Sequence, residues 1–491
     1  MKHFLWLTLF TSTLVSAAPS KSSIKWTPCP SPLPEALLCG QLQVPLDYAD
    51  KKGKKITIGL TKVSATNPKK RIGNLFYSPG GPGAAPSHYL SWQALGLPFF
   101  SNDLATHFDI MGMDPRGVGL STPVQCDPKT WNTPVSLFPA DEAELYNLVA
   151  QNKAMWKSCL DATGPLLGHV DTTSMVRDME EVRKALGGEK LNYFGQSYGT
   201  QVGYQYAELF PLNYRTLALD AMFDHSIAKT QITVDESETY ETELKAFFAW
   251  CDTNNSCALH GQNAIDIFLA LIANATTSPI PAPACASSGG CSPLVSASDI
   301  LRHTQDALLI KDPIPAGDIT GWAGLSIALA EAAAGNATTL STPLAQSTSD
   351  PSYADLAITC NDWQAADNNY DALLYRMQVA NFTTPLTRGA AQMWEAQVRC
   401  IGWPVKVANP TRKHIVQNSK NLEVLMVHST RDPSCNPTWA LGVAEQIEKH
   451  VMVWRDGDGH TSYILNGTVR AVIDDYLVNK TLPKAGTVYS S

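Results

Sequence analysis

Apolar and polar positions alternate in short runs over the first quarter of the chain. Gln41 to Val44, Ile56 to Leu60, Asn74 to Tyr77 and Phe108 to Met111 are β-rich segments broken by turn residues, and each predicts a strand. The period then changes. Thr172 or Thr173 is expected to cap a helix whose apolar stripe is Val176, Met179, Val182 and Leu186, stopped by Gly187-Gly188. Strands follow at Leu191 to Phe194 and Thr216 to Leu219, so a helix lies between strands and the sheet is expected to be mainly parallel. From Phe223 to Cys400 the pattern is Ala-rich and helical, with Ser/Thr/Pro breaks densest from Ser278 to Pro293 and no clear buried strand. Strand and helix alternation resumes with Leu422 to Val427, a helix from near Thr438, and Val451 to Trp454. The expected organisation is therefore an α/β core formed by residues 19–222 and 401–491, with residues 223–400 inserted as a mainly helical cap. No fixed-period repeat is present.

The extreme N-terminus falls outside this pattern. Lys2 precedes an apolar run from Phe4 to Val15, and Ser16-Ala17-Ala18 supplies the small residues of a signal-peptidase site, so residues 1–18 read as a secretion signal. No later stretch has the apolar length of a membrane helix, and the expectation is a secreted protein without a membrane partner. With 491 residues, 44% hydrophobic and 17% charged, the chain can bury a large core, which excludes a disordered or fibrous protein. A net charge of −8 without a long basic block argues against nucleic acid. Eleven cysteines suit an oxidising compartment: Cys29/Cys39, Cys251/Cys257 and Cys285/Cys291 are spaced for local staples, Cys126/Cys159 and Cys360/Cys400 would close longer loops, and Cys435 is left over. Zinc-type spacings are absent, so neither a metal nor another cofactor is expected. Six N-x-[ST] sequons, at Asn254, Asn274, Asn336, Asn381, Asn466 and Asn479, are compatible with glycosylation.

Gly195-Gln-Ser-Tyr-Gly199 lies between a predicted strand and a predicted helix, Thr200 to Leu209. That context makes the pentapeptide resemble the nucleophile elbow of α/β-hydrolases, with Ser197 as nucleophile. A developing oxyanion then needs two N–H donors. Tyr198 supplies one; Ser78-Pro-Gly-Gly-Pro-Gly83 follows a strand, and because Pro82 has no N–H, Gly81 is the expected second donor. No Lys-[ST] follows this loop, which removes the phosphate-cradle reading. In the order Ser…Asp…His, the base is expected at His460, after the strand Val451 to Trp454, and the acid at Asp432, after the strand Leu422 to Val427. Asp456 and Asp458 are alternatives on the histidine's own loop.

Together, Val44-Pro-Leu-Asp-Tyr48, Gly80-Gly-Pro-Gly83, Asp114-Pro-Arg-Gly-Val-Gly-Leu-Ser121, Gly195 to Gly199, Ala357-Ile-Thr-Cys-Asn-Asp362 and Asp458-Gly-His460 resemble the secreted tripeptidyl aminopeptidase-like α/β-hydrolases, relatives of the proline iminopeptidases. Pro79 stands where proline iminopeptidases usually carry His, which favours the tripeptidyl branch. The chain departs from the family at Ala221-Met222, usually Gly-Val, and at Ser434-Cys-Asn436, usually Val-Thr-Pro. The resemblance implies a serine exopeptidase with a helical cap, acting on peptides with a free N-terminus. Together with the spacings it supports the five cysteine pairs above and a free Cys435. An exopeptidase must reject internal sites, and since burying the substrate ammonium unpaired would cost several kcal/mol, a carboxylate from the cap is expected to meet it. Asp362 is the expected anchor, with Glu236, Glu238 and Glu395 as alternatives. Asp114 and Arg116 read as scaffold. An esterase or acyltransferase on the same frame is the alternative function, and a catalytically silent binding protein a further one.

Overall fold

The computed structural model describes residues 23–97, 99–314, 320–418, 422–465 and 467–490; the expected signal segment 1–18 and Asn466 lie outside them. Its strands, in chain order, are β1 (Thr27–Pro28), β2 (Leu38–Pro45), β3 (Lys55–Val63), β4 (Gly73–Ser78), β5 (Phe108–Met113), β6 (Leu191–Gln196), β7 (Tyr214–Asp220), β8 (Ile280–Pro281), β9 (Leu294–Val295), β10 (Val424–Ser429), β11 (His450–Asp456) and β12 (Val488–Ser490). Ten of them form one sheet in the order β1-β2-β3-β5-β4-β6-β7-β10-β11-β12. The β1/β2, β2/β3 and β3/β5 pairs are antiparallel, and every pair from β5 to β12 is parallel. Strands β4, β6 and β10 are buried at every position. Continuous apolar runs such as Leu75-Phe76-Tyr77 and Val424-Leu-Met-Val427 suit strands covered by helices on both faces. This is the α/β-hydrolase fold, and separate apolar clusters fill its two faces, one around Ile58, Met111 and Tyr193, the other around Leu75, Phe194 and Val427.

Between Lys229 and Arg399 the chain is mainly helical, as its Ala-rich pattern suggests, from the helix Lys229–Thr253 to the helix Gln392–Arg399. Most of these helices pack around their own apolar cluster, which includes Phe247, Phe268, Ile300 and Trp322. The only strands here among the described residues are the two-residue β8 and β9, joined antiparallel with Ile280 and Val295 turned inward. Five disulfides are present, Cys29–Cys39, Cys126–Cys159, Cys251–Cys257, Cys285–Cys291 and Cys360–Cys400, and Cys435 is free and buried. Among the described residues no helix is long and apolar enough to cross a membrane. One expectation shifts by a residue: the helix Thr172–Ala185 is capped by Asp171, whose carboxylate accepts from Ser174 N–H, and not by Thr172 or Thr173. An aspartate oxygen reaches that N–H from the extended residue before the helix, leaving Thr172 inside its first turn.

Candidate active site

The loops that bear Gly81, Ser197, Asp432 and His460 leave the C-terminal ends of the parallel strands β4, β6, β10 and β11, where an open α/β sheet gathers its ligand-binding groups. Between β6 and the helix Tyr198–Leu209, Ser197 is the single turning residue, at φ 56° and ψ −130°. A non-glycine residue is strained there, and the surroundings enforce it. Ser197 N–H donates to Asp220 C=O at 2.9 Å. A Cβ on Gly195 would fall 2.4 Å from Gly199 O, and one on Gly199 would fall 2.5 Å from Ser78 O. Both glycines are therefore demanded by the close crossing of strand and helix.

The Gly80–Gly83 loop lies directly against this elbow. Gly80 and Gly81 both have φ near +101°, and a Cβ on Gly80 would meet Ser197 Cβ at 2.9 Å and Tyr198 N at 3.1 Å. The backbone N–H groups of Gly81 and Tyr198 donate to no other group among the described residues. The structure thus brings together the two N–H groups expected from sequence, on adjoining backbones beside the serine.

Asp432 and His460 meet as expected. The imidazole Nδ1 lies 2.9 and 2.8 Å from the two oxygens of Asp432, whose Oδ1 also accepts from the backbone N–H groups of Ser434 and Cys435, each at 2.9 Å. Burial alone would raise the Asp432 carboxyl, but the charge and hydrogen bond of His460 hold it below the usual carboxylate range. Burial alone would lower His460, and Asp432 reverses that, so the imidazole is more basic than usual. Among the described residues no hydrogen bond joins His460 to Ser197; in enzymes without substrate such contacts are commonly loose and tighten on binding. Asp220 ties the two together: its C=O holds the Ser197 N–H, and its Oδ2 accepts from Ser462 and Tyr463 N–H, just past His460. The alternative acids turn away. Asp458 is paired with Lys311 and Arg431, and Asp456 with Arg431.

Several contacts of these loops were not foreseen from sequence, where Glu236 is named only as an alternative anchor. The helix Lys229–Thr253 carries three of them: Thr239 donates to Asp432 C=O at 2.6 Å, Glu243 accepts from Gly459 N–H at 2.7 Å, and Glu236 accepts from Gln305 and from the N–H groups of Gln392 and Met393. Leu309 C=O accepts from His460 N–H at 2.7 Å. The inserted helices thus hold both the Asp432 and the His460 loops. Burial pushes Glu236 up to about 7, and burial with the charge of Asp458 pushes Glu243 up to about 9. The Cys435 thiol is buried beside the Ser197 hydroxyl, and enclosure raises it well above an ordinary thiol.

Asp362 is not brought to this cleft. At the end of the helix Pro351–Asp362 it is wholly buried, and its carboxylate accepts from Thr172 N–H (3.1 Å), the Thr172 hydroxyl, Gln201 (3.2 Å) and Asn409 (3.0 Å). Burial, aided by Asp171, raises it to about 7. Both oxygens are taken by protein groups, so the expected amine anchor is instead a strut: the Thr172 hydroxyl it binds also bonds the Tyr198 hydroxyl. The helix end turns inward and buries Asp362 together with Trp363. Of the alternatives, Glu236 is saturated, Glu395 is paired with Arg302 and Arg399, and Glu238 is exposed. Asp114 and Arg116 are scaffold: Asp114 accepts from Ser87 and Leu120, and buried Arg116 forms a two-point pair with Asp178, itself bonded by Tyr48.

A family model described as TAP-like protein matches residues 384–489, the stretch that carries Asp432 and His460. Tripeptidyl aminopeptidase of Streptomyces coelicolor is 27% identical over 485 residues, covering 95% of this chain and 86% of that protein. Serine protease Hip1 of Mycobacterium tuberculosis is 27% identical over 488 residues, covering 94% and 90%. Carboxylesterase B of Mycobacterium tuberculosis is 26% identical over 482 residues, covering 91% and 85%. Among solved structures, proline iminopeptidase of Mycobacterium smegmatis aligns over 89% of this chain and 98% of that one, at 14% identity and a TM-score of 0.39. The chain is a serine hydrolase of the α/β-hydrolase fold, similar along nearly its whole length to the tripeptidyl aminopeptidases.

Proposed function

We propose that this protein is a secreted aminopeptidase that removes short peptides, of tripeptidyl type, from free N-termini through an acyl-enzyme on Ser197. His460 takes the Ser197 proton as the hydroxyl attacks the scissile carbonyl, and returns it to the leaving amine. Asp432 fixes the imidazole with Nδ1–H toward itself, which leaves Nε2 as the base, and it stabilises the imidazolium that forms. The carbonyl oxygen moves toward the N–H groups of Gly81 and Tyr198, whose donors are free to meet the charge as it develops. Water then repeats the sequence on the acyl-enzyme. Residues 223–400 act as the cap that bounds the site, and 19–222 with 401–491 as the catalytic core. No cofactor enters the reaction.

The carrying observation is the Asp432–His460 pair together with an elbow serine that adjoins the Gly80–Gly83 loop, where the Gly81 and Tyr198 N–H groups donate to no other group among the described residues. The relatives named for tripeptidyl aminopeptidase and serine protease activity favour peptides. Five disulfides and the apolar leader Phe4 to Val15 favour secretion. An ester substrate is the second reading, favoured by the similarity to carboxylesterase B. A panel of free-amine and N-acetyl peptide p-nitroanilides, with p-nitrophenyl esters alongside, separates the two. The aminopeptidase reading requires turnover of the free-amine anilides and rejection of the acetylated ones. Turnover confined to the esters would replace it with the esterase reading.

A further inference from the structure

An exopeptidase of this kind needs a carboxylate that is open to water, free of other partners, and within a short peptide's length of the oxyanion loop. Asp355 meets all three conditions. It lies on the helix Pro351–Asp362, two turns before Asp362, and is the last exposed residue before the helix enters the interior. Its backbone packs onto the oxyanion loop: a Cβ on Gly83 would fall 2.7 Å from Asp355 Cα and 2.9 Å from its Cβ. Gly83 is three residues from Gly80, which touches Ser197. A tripeptidyl group extends about 10 Å from its scissile carbonyl, and Asp355 adjoins the loop that runs from that carbonyl's expected position.

The charges around Asp355 leave it as the one without a partner. Arg302 is held by Glu395 at 2.6 Å and Asp306 at 3.2 Å, and Arg399 lies 3.6 Å from Glu395. Three carboxylates therefore face two guanidiniums, and Asp355 itself makes no side-chain hydrogen bond or ion pair among the described residues. The same group runs on to the acid loop, because Gln392 bonds both Asp306 and the Ser434 hydroxyl, and Gln305 bonds Pro433 C=O. Asp355 thus adjoins both the oxyanion loop and a charge group, tied to the acid loop, in which the carboxylates outnumber the guanidiniums by one.

We propose that Asp355 receives the α-ammonium of the substrate and thereby restricts cleavage to the N-terminal end of a peptide. This rests on the aminopeptidase reading. Such a cation completes the charge balance of this group, whereas an acetylated or internal segment would leave the carboxylate facing a neutral amide. The position is open to water yet enclosed by protein on most sides. Enclosure, with Glu395 and Asp306 nearby, raises the carboxyl to about 7 against the pull of Arg302 and Arg399, so an arriving ammonium shifts it toward the ionised form.

The test compares kcat/KM for Ala-Ala-Ala-p-nitroanilide and its N-acetyl form in the parent enzyme, Asp355→Asn and Asp355→Lys. In Asp355→Asn the free-amine substrate should lose about 10²–10³-fold, carried by KM, the range for removing one partner of an enclosed charge pair. The preference for the free amine should then collapse toward unity. In Asp355→Lys the preference should move to an N-succinyl peptide. An unchanged preference in both variants overturns the assignment, as does an equal loss on free and acetylated substrates, which would mean that Asp355 only props the Gly83 loop. If the parent enzyme shows no preference for the free amine, the aminopeptidase reading itself fails, and that result is visible before any variant is made.

Discussion

Replacing Glu243 with glutamine should make the protein more resistant to unfolding as the pH rises, and the slope of that gain can be worked from the structure. Glu243 is wholly buried; one oxygen accepts the Gly459 N–H and the other has no partner among the described residues. Its carboxyl, ordinarily near 4.5, is raised to about 9, so the folded protein keeps this proton at neutral pH while the unfolded chain has released it. A group raised on folding favours the folded state fully below the unfolded value and loses that advantage as pH climbs to the folded value. Between pH 4.5 and about 9 the parent should therefore lose about 1.4 kcal/mol per pH unit through this residue, or about 3 kcal/mol by pH 7. Glutamine keeps an oxygen for Gly459 and never ionises. Its amide hydrogens, left unpaired, cost about 1–3 kcal/mol, but independently of pH. Urea unfolding of both proteins at pH 5, 7 and 8.5, followed by tryptophan fluorescence, reads the difference, and every other titrating group cancels in it. A difference that grows with pH at close to that slope is expected. A flat or shrinking difference would show that Glu243 is ionised in the folded protein and that its hold on the His460 loop has been misread.

Asp432→Asn should cost about 10⁴ in kcat by favouring the wrong imidazole tautomer, whereas Asp458→Asn, which breaks outer ion pairs, should cost less than about tenfold; the reverse ranking would move the acid to Asp458. Because Asp432 makes His460 more basic than usual, kcat/KM should fall as pH drops through a value above 6.5, and in Asp432→Asn the residual activity should keep its limb at lower pH. Iodoacetamide without reductant should leave the native protein unlabelled and modify one thiol, Cys435, on unfolding, with the five disulfides recovered by non-reducing peptide mapping. Asp362→Asn should lower ester and peptide turnover together, since the carboxylate acts through Thr172 and Tyr198 and not on the substrate; a loss confined to free-amine peptides would restore it as the anchor.

The strands were legible because burial on both faces leaves an unbroken apolar run, as in Leu75-Phe76-Tyr77, and the elbow because two glycines at fixed offsets are demanded by backbone crossing. The order β5-β4-β6 and the edge strands β1 and β12 were not, since pairing between distant segments leaves no local period. The Asp171 cap was missed by one position because Asp, Thr and Thr all cap well, and only the backbone decides which lies outside the first turn. Glu243 and Asp355 carried no signal in their own neighbourhoods. One gains its meaning from Gly459, 216 positions away, and the other from Gly83. Asp362 and Asp355 lie two turns apart on one helix, so the sequence pointed to the helix but not to the turn at which it passes from cleft to core.

The most direct test of the account is mass analysis of an unmodified decapeptide incubated with the purified protein. Cleavage should release short fragments from the N-terminal end alone, should stop when that terminus is acetylated, and should be absent, by about 10⁴-fold or more, in Ser197→Ala. Internal cleavage, or cleavage that persists without the Ser197 hydroxyl, would contradict it.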